Sequence, residues 1–390
     1  MSATATAVEK PPAAAGQSVK FVIDRAPLLK SLGHVQSVVE KRGTIAVLSN
    51  VKIETKADTV ELTATDMDLA MVEKVPAKVG KEGAITVPAH MFYEIVRKLP
   101  EGSEIECSTS SDGAKMTIRS GQSRFSLGCL SPEDFPVMAD GEFTHNFSLK
   151  SAECQVLVQK PSFAISTEET RYYLNGIYLH EAGSGSNKVL RAVATDGHRL
   201  ARIEVGLPAG AGDMPGIIVP RKAIYEVKKL LEGSDDDVQI SLSDTKIRFV
   251  FGNAVLVSKL IDGNFPDYER VIPSGNDRIL EVDCKLFAQA VDRVSVISSE
   301  KSRAVKLQLE SGKLTLSAGS AEHGSASEEI DVTYSSTEME IGFNSRYMLE
   351  MMSQIEGETA QFLLGDGSAP AIVRDTADVS ALYVIMPMRV

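Results

Sequence analysis

The chain contains 390 residues, 43% of them hydrophobic, which is enough apolar material to build the cores of two to four domains. Its formal net charge of −12 argues against a protein that coats nucleic acid indiscriminately, because the phosphate backbone would repel it on average. The four cysteines are too widely spaced for a CxxC pair and have no histidine cluster near them, which argues against a zinc site and favours reduced thiols in a cytoplasmic protein.

The N-terminal segment MSATATAVEKPPAAAGQS, residues 1–18, is rich in Ala, Pro and Thr. It has neither the basic start nor the apolar stretch of a signal peptide, so we predict a disordered tail. After it, no apolar run approaches the roughly 20 residues that a helix needs to span a bilayer. We therefore predict a soluble protein.

Three later segments share one pattern: TVPAHMFYEIVRKLPEG (86–102), IVPRKAIYEVKKLLEG (218–233) and IGFNSRYMLEMMSQIEG (341–357). In each, a short strand leads into an amphipathic helix that carries a glutamate at the matching position, Glu94, Glu226 or Glu350, and ends at Glu-Gly. The glutamates are 132 and 124 residues apart. The pattern therefore indicates an internal repeat.

Two dipeptide markers agree with this repeat. Phe135-Pro136 recurs as Phe265-Pro266 and, more distantly, as Met386-Pro387, and Thr65-Asp66 recurs as Thr195-Asp196. Without the tail, 372 residues remain, or 124 per repeat. We predict three tandem domains of one fold, at residues 19–141, 142–272 and 273–390.

Each predicted domain also divides into two similar halves. The segments FVIDRAPLLKSLGHVQSVV, FSLKSAECQVLVQKPSFAI and LEVDCKLFAQAVDRVSVIS each predict a strand, a short break and a helix, followed by alternating strands such as VKIET and VELTATD. One such unit cannot bury both faces of its sheet, so we expect two units to share a helix-covered sheet. The fold class is α+β, with three pseudo-symmetric domains built from six units.

Charge is unevenly divided between the predicted helices and the rest of the chain. The helical segments 25–42, 88–99, 150–166, 220–231, 285–297 and 344–355 carry a summed net charge of +9, which leaves −21 elsewhere. If equivalent helices face the same way, one surface is basic and the opposite surface acidic, which suits sequence-independent binding to duplex phosphates. The alternative is a set of solvated helix faces with incidental Lys and Arg.

The stretch RAVATDGHRLARIEV, residues 191–205, raises the question of catalysis because Asp196, His198 and Arg199 lie close together. An Asp-Gly pair between two alternating runs is a strong hairpin signal, since such a turn needs positive φ. A hydrolase that uses His198 would need a nucleophile, and the sequence shows no GxSxG elbow or Cys-His arrangement. We predict a turn, no catalytic residue and no metal ligand.

A second loop with several glycines, EAGSGSNK at 181–188, lies between two predicted strands. It lacks both the third glycine of a dinucleotide loop and the GK[ST] of a P-loop, so it is interpreted as a hairpin tip. We expect no cofactor.

Several stretches together closely resemble the bacterial DNA polymerase III beta subunit family of replication sliding clamps. They are RYYLNG (171–176), ATDGHRLA (194–201), VPRK (219–222), DGNFPDYERV (262–271), MEIGFN (339–344) and YVIMPMRV (383–390). The likeness runs from about Lys20 to Val390. It implies a head-to-tail homodimer, with three domains per chain, closed into a ring whose inner helices surround duplex DNA and whose outer face is sheet. In such a protein ATP-driven opening belongs to a separate clamp loader.

The resemblance also implies a pocket for short linear peptides carried by the replicative polymerase, the clamp loader, other polymerases and repair proteins. Matching positions are Leu174, Thr195, Gly197, His198, Arg199, Leu200, Pro266, Arg270, Val271, Asn344, Tyr347, Val384, Met386, Pro387, Met388 and Arg389. Methionines suit such a site because they form an adaptable apolar lining. The alternative is that YVIMPM is merely a core strand. Ser302 stands where the family often has a bulky aromatic residue, and Ser368 and Pro370 occupy a variable rim, so the peptide preference stays open.

Contacts with DNA and between subunits are implied in the same way. The expected DNA contacts are Arg42, Arg97, Lys98, Tyr172, Tyr173, Arg221, Lys222, Lys228 and Lys229. For the two tyrosines the alternative is packing within a strand. The dimer seam is expected to pair Phe125 and Leu127 of one chain with Val296 and Ile297 of the other. The alternative function is a multi-domain peptide-binding scaffold that does not encircle DNA.

Overall fold

The computed structural model describes residues 18–40, 45–138, 141–299 and 303–389, apart from the side chain of residue 186. Nearly all of the predicted tail, together with Arg42 and Ser302, lies outside these residues. No helix among the described residues is long and apolar enough to cross a membrane.

The first third of the chain contains two helices, each preceded by a strand. Its elements are β1 (Lys20–Asp24), α1 (Arg25–Val38), β2 (Asn50–Lys56), β3 (Thr59–Thr65), β4 (Leu69–Pro76), β5 (Lys78–Lys81), β6 (Gly83–Pro88), α2 (Ala89–Lys98), β7 (Glu104–Thr109), β8 (Lys115–Ser120) and β9 (Ser123–Gly128).

The second third repeats this order without an equivalent of the short strand β5. Its elements are β10 (His145–Leu149), α3 (Ser151–Gln159), β11 (Gly176–Ala182), β12 (Val189–Thr195), β13 (Arg199–Gly206), β14 (Ile217–Pro220), α4 (Arg221–Leu231), β15 (Val238–Leu242), β16 (Lys246–Phe251) and β17 (Ala254–Lys259).

The last third repeats the order again and ends at the C-terminal strand. Its elements are β18 (Arg278–Asp283), α5 (Cys284–Ser295), β19 (Ala304–Glu310), β20 (Lys313–Ser320), β21 (Gly324–Asp331), β22 (Thr333–Tyr334), β23 (Met339–Asn344), α6 (Ser345–Met352), β24 (Thr359–Leu364), β25 (Ala371–Asp375) and β26 (Ala381–Ile385). The predicted α+β fold with six strand–helix–strands units is confirmed.

Three predicted helices end earlier than expected, for local reasons. The helix predicted at 150–166 stops at Gln159 because Pro161 has no N–H to continue it, and a short 3-10 turn, Ser162–Ala164, follows. The helix predicted from residue 25 to 42 ends at Val38, since Val39 is extended. The last helix begins after Asn344, whose side chain caps it, and ends at Met352.

The described residues form two compact units. The first contains the chain up to Thr144 together with Lys229–Leu242 and Lys246–Lys259. Its sheets have the strand orders β5-β1-β7-β8-β9 and β15-β16-β17-β4-β3-β2-β6. Neighbouring strands in both orders pair antiparallel. Alternating burial along strands such as β3 shows that one side chain in two faces the core.

The second unit contains His145–Lys228, Ser243–Thr245 and Leu260–Val390. Its larger sheet has the order β14-β11-β12-β13-β26-β25-β24-β18-β22, and the smaller has the order β21-β20-β19-β23. Pairing of β13 with β26 joins strands from the second and third repeats, with Leu200 opposite Val384. This pairing places the predicted 194–201 and 383–390 motifs side by side.

Candidate functional site

The predicted turn at Asp196-Gly197 joins β12 to β13 and is held by side chains at both ends. The Thr195 hydroxyl accepts from the Gly197 amide at 3.1 Å and donates to the Arg199 carbonyl at 2.7 Å. Asp196 Oδ1 accepts from the amides of His198 and Arg199, at 2.9 and 3.1 Å. Asp196 therefore has a structural role, as predicted from the hairpin signal.

Glycine is favoured at position 197, and any side chain there would move Arg171. Its φ of +89° lies in the region that L side chains rarely adopt. A Cβ placed there would also lie 2.6 Å from Nη1 of Arg171. The turn can therefore hold Arg171 close to its backbone.

An apolar cavity of about 310 Å³ opens beside this turn, wholly within the second unit. Its lining residues are Arg171, Tyr173, Leu174, Thr195, Gly197, Arg199, Leu200, Pro266, Asp267, Tyr268, Val271, Val384 and Met386. Beneath it, Val193, Leu200, Tyr268 and Val384 form a buried cluster. We name this cavity the β13 pocket. Its size and lining are those of a site for an apolar side chain or a small ligand.

Arg199 extends from the same turn into a buried ionic network. Its Nε donates to Asp196 at 3.1 Å, and its Nη2 donates to the Phe163 carbonyl at 2.5 Å. Its Nη1 donates to Glu350 of α6. The guanidinium also lies 5.0 Å from the ring centre of Phe163 and 4.3 Å from that of Tyr347, which are cation–π distances.

Glu350 receives a second cation from its own helix, since Arg346 Nε donates to it at 2.8 Å. Burial raises the pKa of the Glu350 carboxyl, but the hydrogen bonds from Arg199 and Arg346 outweigh it, so that the pKa is below its ordinary value. The carboxylate therefore stays ionised and ties α6 to the turn.

A second, polar cavity of about 390 Å³ lies around this network. His198, Arg199 and Tyr347 contribute to its lining, and the His198 and Tyr347 rings are stacked at 6.4 Å. The family resemblance implies one peptide pocket for all three residues. In the structure, His198 and Tyr347 line this polar cavity, and Arg199 lines both cavities.

Nine of the predicted pocket residues line the β13 pocket: Leu174, Thr195, Gly197, Arg199, Leu200, Pro266, Val271, Val384 and Met386. Five others line neither cavity: Arg270, Asn344, Pro387, Met388 and Arg389. Arg270 is largely exposed and pairs with Asp267, and Asn344 caps α6. The amide of Met388 donates to the Gly342 carbonyl at 2.8 Å, which holds the C-terminal segment on β23.

Four lining residues were not predicted for the pocket, namely Arg171, Tyr173, Asp267 and Tyr268. All four lie inside quoted motifs, RYYLNG and DGNFPDYERV, so the motifs themselves were the available signal. Tyr173 is among the residues predicted to contact DNA. The contact of Arg171 with Gly197 is tertiary, so no local sequence pattern indicates it.

The residues predicted to contact DNA lie on or near helices, as far as the structure describes them. Arg97 and Lys98 are exposed at the end of α2, where Arg97 pairs with Glu94. Arg221, Lys222, Lys228 and Lys229 are on α4, and Lys228 donates to Ser162 at 3.3 Å. Tyr172 and Tyr173 belong to a 3-10 helix, Glu169–Leu174, and not to a strand. Tyr172 is exposed and Tyr173 is half-buried.

The residues predicted for the dimer seam differ in exposure. Phe125 and Leu127 are on β9, an edge strand of its sheet, where Phe125 is exposed and Leu127 is buried. Val296 is 77% exposed just after α5, and Ile297 beside it is half-buried.

Metal chemistry finds no support in the described residues, which contain no group of three or more His, Cys, Asp or Glu side chains able to hold an ion. All four cysteines are free. Burial raises the pKa of the Cys129 thiol to about 11, which leaves it protonated and unreactive at neutral pH.

Comparison with family models covers nearly the whole chain. Residues 19–139 match the N-terminal domain of the DNA polymerase III beta subunit, residues 148–267 match its central domain, and residues 269–389 match its C-terminal domain.

Individual relatives agree with these models. The chain is 49% identical to the beta sliding clamp of Caulobacter vibrioides over 372 residues, which are 95% of this chain and all of that protein. It is 39% identical to the beta sliding clamp of Escherichia coli K12 over 374 residues, again 95% of this chain and all of the relative.

Two solved structures extend the agreement to the fold. The sliding clamp of Bartonella birtlesii bound to griselimycin is 49% identical, with a TM-score of 0.92 over 96% of this chain and all of that one. The sliding clamp of Pseudomonas aeruginosa bound to griselimycin is 38% identical, with a TM-score of 0.89 over the same shares.

Proposed function

The chain belongs to the DNA polymerase III beta subunit family, and from that premise we propose that it forms a head-to-tail dimeric ring that encircles duplex DNA. Membership makes it a non-catalytic processivity subunit of DNA polymerase III. The observation that carries the proposal is that the three domain models of this family match in order along one chain.

Charge on the helices supports a sequence-independent contact with DNA. Helix α4 alone carries Arg221, Lys222, Lys228 and Lys229 against a single acidic residue, Glu226, in a chain whose net charge is −12. Cations concentrated on one element can hold phosphates without reading bases. The other described candidates are Arg97, Lys98 and Tyr172, which are exposed, and Tyr173, which is half-buried. Because a ring is linked to DNA topologically, such contacts can stay weak and permit sliding.

The β13 pocket is the proposed binding site for short linear peptides carried by the replicative polymerase, the clamp loader and repair proteins. Its wall combines apolar residues with Met386, which is 41% exposed and can adapt to different side chains. Arg171 and Arg199 also line it, and their guanidinium groups already pair with carboxylates of the chain, Arg171 with Glu168 and Arg199 with Glu350. Two relatives have been solved with griselimycin bound, and we propose that this compound binds the β13 pocket here and can probe it.

The test of the ring is topological. The protein is assembled by the clamp loader on nicked circular DNA at moderate salt, and retention is measured before and after a single restriction cut. A ring stays on the circle and runs off the linear product. Equal retention before and after cutting would favour the scaffold that binds peptides without encircling DNA.

The dimer seam is tested separately by charging Ile297. Ile297→Asp is expected to give monomers, because an unpaired carboxylate is costly at an apolar contact. Light scattering measures the mass at several concentrations, and Val379→Asp, at an 87% exposed position outside the predicted seam, is the control. An Ile297→Asp protein that stays dimeric would refute the assignment of Ile297 to the seam.

A further inference from the structure

A hydrogen-bonded relay adjoins the β13 pocket at Tyr268. The Tyr268 side chain lines the cavity, and its hydroxyl bonds to residues that do not line it. His180 on β11, Arg191 on β12 and Glu204 on β13 are direct neighbours in the sheet, because His180 is opposite Arg191 and Arg191 is opposite Glu204. Residues in register on adjacent strands place their side chains on the same face. On this face, the Tyr268 hydroxyl meets both His180 and Arg191.

The proton positions in the relay follow from its acceptors. His180 Nδ1 lies 2.7 Å from the Glu181 carbonyl, which can only accept, so Nδ1 carries the proton. In a neutral imidazole Nε2 is then an acceptor, and the Tyr268 hydroxyl, 3.0 Å away, donates to it. Arg191 Nη1 donates to the same hydroxyl at 2.7 Å. The order is therefore Arg191 to Tyr268 to His180 to the backbone.

Arg191 also anchors the segment that carries one wall of the pocket. Its side chain is 11% exposed, its Nε donates to Glu204 at 2.7 Å, and its Nη1 donates to Glu269 at 2.7 Å. Glu269 and Tyr268 belong to the 3-10 helix Tyr268–Val271. The sheet thus holds this helix through one guanidinium.

Aromatic stacking adds a second attachment for the same segment. The Phe265 ring stacks on Tyr178 with centres 4.8 Å apart and an angle of 6°. Tyr178 in turn stacks on His180 at 4.6 Å. His180 therefore touches both the relay and the stack that leads to Pro266, a lining residue of the pocket.

We propose that Arg191 and His180 are positioning residues of the β13 pocket, which hold the wall formed by Pro266, Tyr268 and Val271 in its binding-competent place without lining the cavity. The proposal rests on the proposed function, since it concerns the same site. Fixing the wall in advance lowers the entropy lost when a ligand binds, so loosening the relay weakens binding without removing a contact.

The relay also requires a neutral His180. The charged or titratable groups that face its ring are Arg191 of β12, Glu204 of β13, Tyr178 of β11, and Tyr268 and Glu269 of the 3-10 helix. Burial, with a smaller contribution from Arg191, lowers the pKa of His180 below its ordinary 6.5. Protonation would turn Nε2 into a donor facing the Tyr268 O–H. Affinity is therefore expected to be unaffected by His180 at pH 6.5 and above, and to fall as the pH drops through the lowered pKa of His180.

The experiment measures griselimycin affinity by calorimetry for the full-length protein and five variants. Arg191→Gln and Tyr268→Phe each break the relay, and we expect each to weaken binding roughly three- to tenfold. Their effects are expected not to add in the double variant, because both act on one hydrogen bond. Arg374→Gln is the control: Arg374 lies on β25 of the same sheet, its Nε donates to Gln361 at 2.7 Å, and it does not line the β13 pocket.

Met386→Glu, which changes the lining itself, separates this inference from the proposed function. If Met386→Glu loses binding but Arg191→Gln and Tyr268→Phe bind as the unmodified protein does, the relay has no role and the inference fails. If Met386→Glu binds normally, or the unmodified protein does not bind, the pocket assignment fails and the inference with it. Tyr268→Phe removes one oxygen atom, so it keeps the test valid even if Arg191→Gln does not fold.

The pH profile gives a readout that a purely structural role would not move. The unmodified protein is expected to lose affinity as the pH falls through the lowered pKa of His180, and Tyr268→Phe to lose less of it, because the phenyl ring no longer depends on a neutral His180. The two proteins differ only at Tyr268, so the difference between the profiles reports the relay that Tyr268 forms with His180. Identical profiles would overturn the role of His180.

Discussion

The same Thr-Asp turn occurs in both compact units, and only one of the two carries the candidate site. In the first unit, Thr65 Oγ1 donates to the Leu69 carbonyl at 2.9 Å, and Asp66 Oδ1 accepts from the amides of Asp68 and Leu69, at 2.9 and 2.7 Å. The turn at Thr195-Asp196 has the same hydrogen bonds. The backbone is therefore repeated, and the function is not.

The difference lies in the side chains that the shared backbone presents. Met67 takes the place of Gly197 at a φ of +77°, and Leu69 takes the place of Arg199. On the first turn, Asp68 forms an exposed ion pair with Lys259 at 2.9 Å. On the second turn, His198 stands at the matching position, and its carbonyl accepts from the amide of Met386. A polar pair thus closes one edge, while the equivalent edge stays apolar and forms a pocket wall. A few substitutions on one repeated turn therefore decide whether the turn only supports the fold or also lines a pocket.

The largest loss of affinity is expected when the second turn is given the residue of the first. Gly197→Met is expected to reduce griselimycin affinity by about a hundredfold, because the side chain would displace Arg171 and enter the β13 pocket. Since Met67 occupies the equivalent position, the protein should still fold. Calorimetry measures the affinity, and circular dichroism the fold. Unchanged affinity would show that the ligand does not use this pocket.

Arg199→Leu makes the second exchange and tests the ionic network. The guanidinium is buried and joins Asp196, Glu350 and the Phe163 carbonyl, so its loss is expected to cost about 3 kcal/mol of unfolding free energy. Leu69→Met, at the matching position of the first turn, should cost under about 1.5 kcal/mol. Urea denaturation at one protein concentration gives both values. A loss below about 1 kcal/mol for Arg199→Leu would mean that Arg346 alone satisfies Glu350.

The pH dependence of stability gives a second test of Arg199→Leu. Because Arg199 and Arg346 hold the pKa of Glu350 below 4.5, its ionised form contributes stability above that value and loses it as the pH falls through the lowered pKa. Arg199→Leu removes one of the two cations, so the stability gap between variant and unmodified protein should narrow from about pH 6 to about pH 3. Denaturation midpoints across this range measure it. A constant gap would place the stabilisation in packing and not in charge.

The smallest effect is expected from Met67→Gly, the reverse of the first exchange. Glycine relieves left-handed strain at Met67, and the side chain is 48% exposed, so the variant should gain about 0.5–1 kcal/mol of stability. Thermal denaturation measures the gain, and griselimycin affinity should be unchanged. A loss of stability would show that Met67 packs more firmly than its exposure indicates.

The repeated fold was readable from the sequence because repetition is a property of the chain order. Glu94, Glu226 and Glu350, with the Thr-Asp and Phe-Pro markers, predicted three repeats, and the similar halves of each repeat predicted six units; the strands and helices follow that order. Nine of the residues that the resemblance implies for a peptide pocket line one cavity, the β13 pocket. Helix ends were less accurate where one residue decides them, as at Pro161.

The sequence by itself determined the repeats, the hairpin turn at Asp196-Gly197 and the family, because each depends on local spacing or on short motifs. Only the tertiary structure decided that Arg171 lies against Gly197 and that Arg199 reaches Glu350, 151 residues away. It also decided that the register of three strands places Arg191 between His180 and Glu204 behind Tyr268. Strand pairing brings such residues together at separations that no local pattern records, since a polar side chain appears the same in sequence whether it faces water or a buried partner.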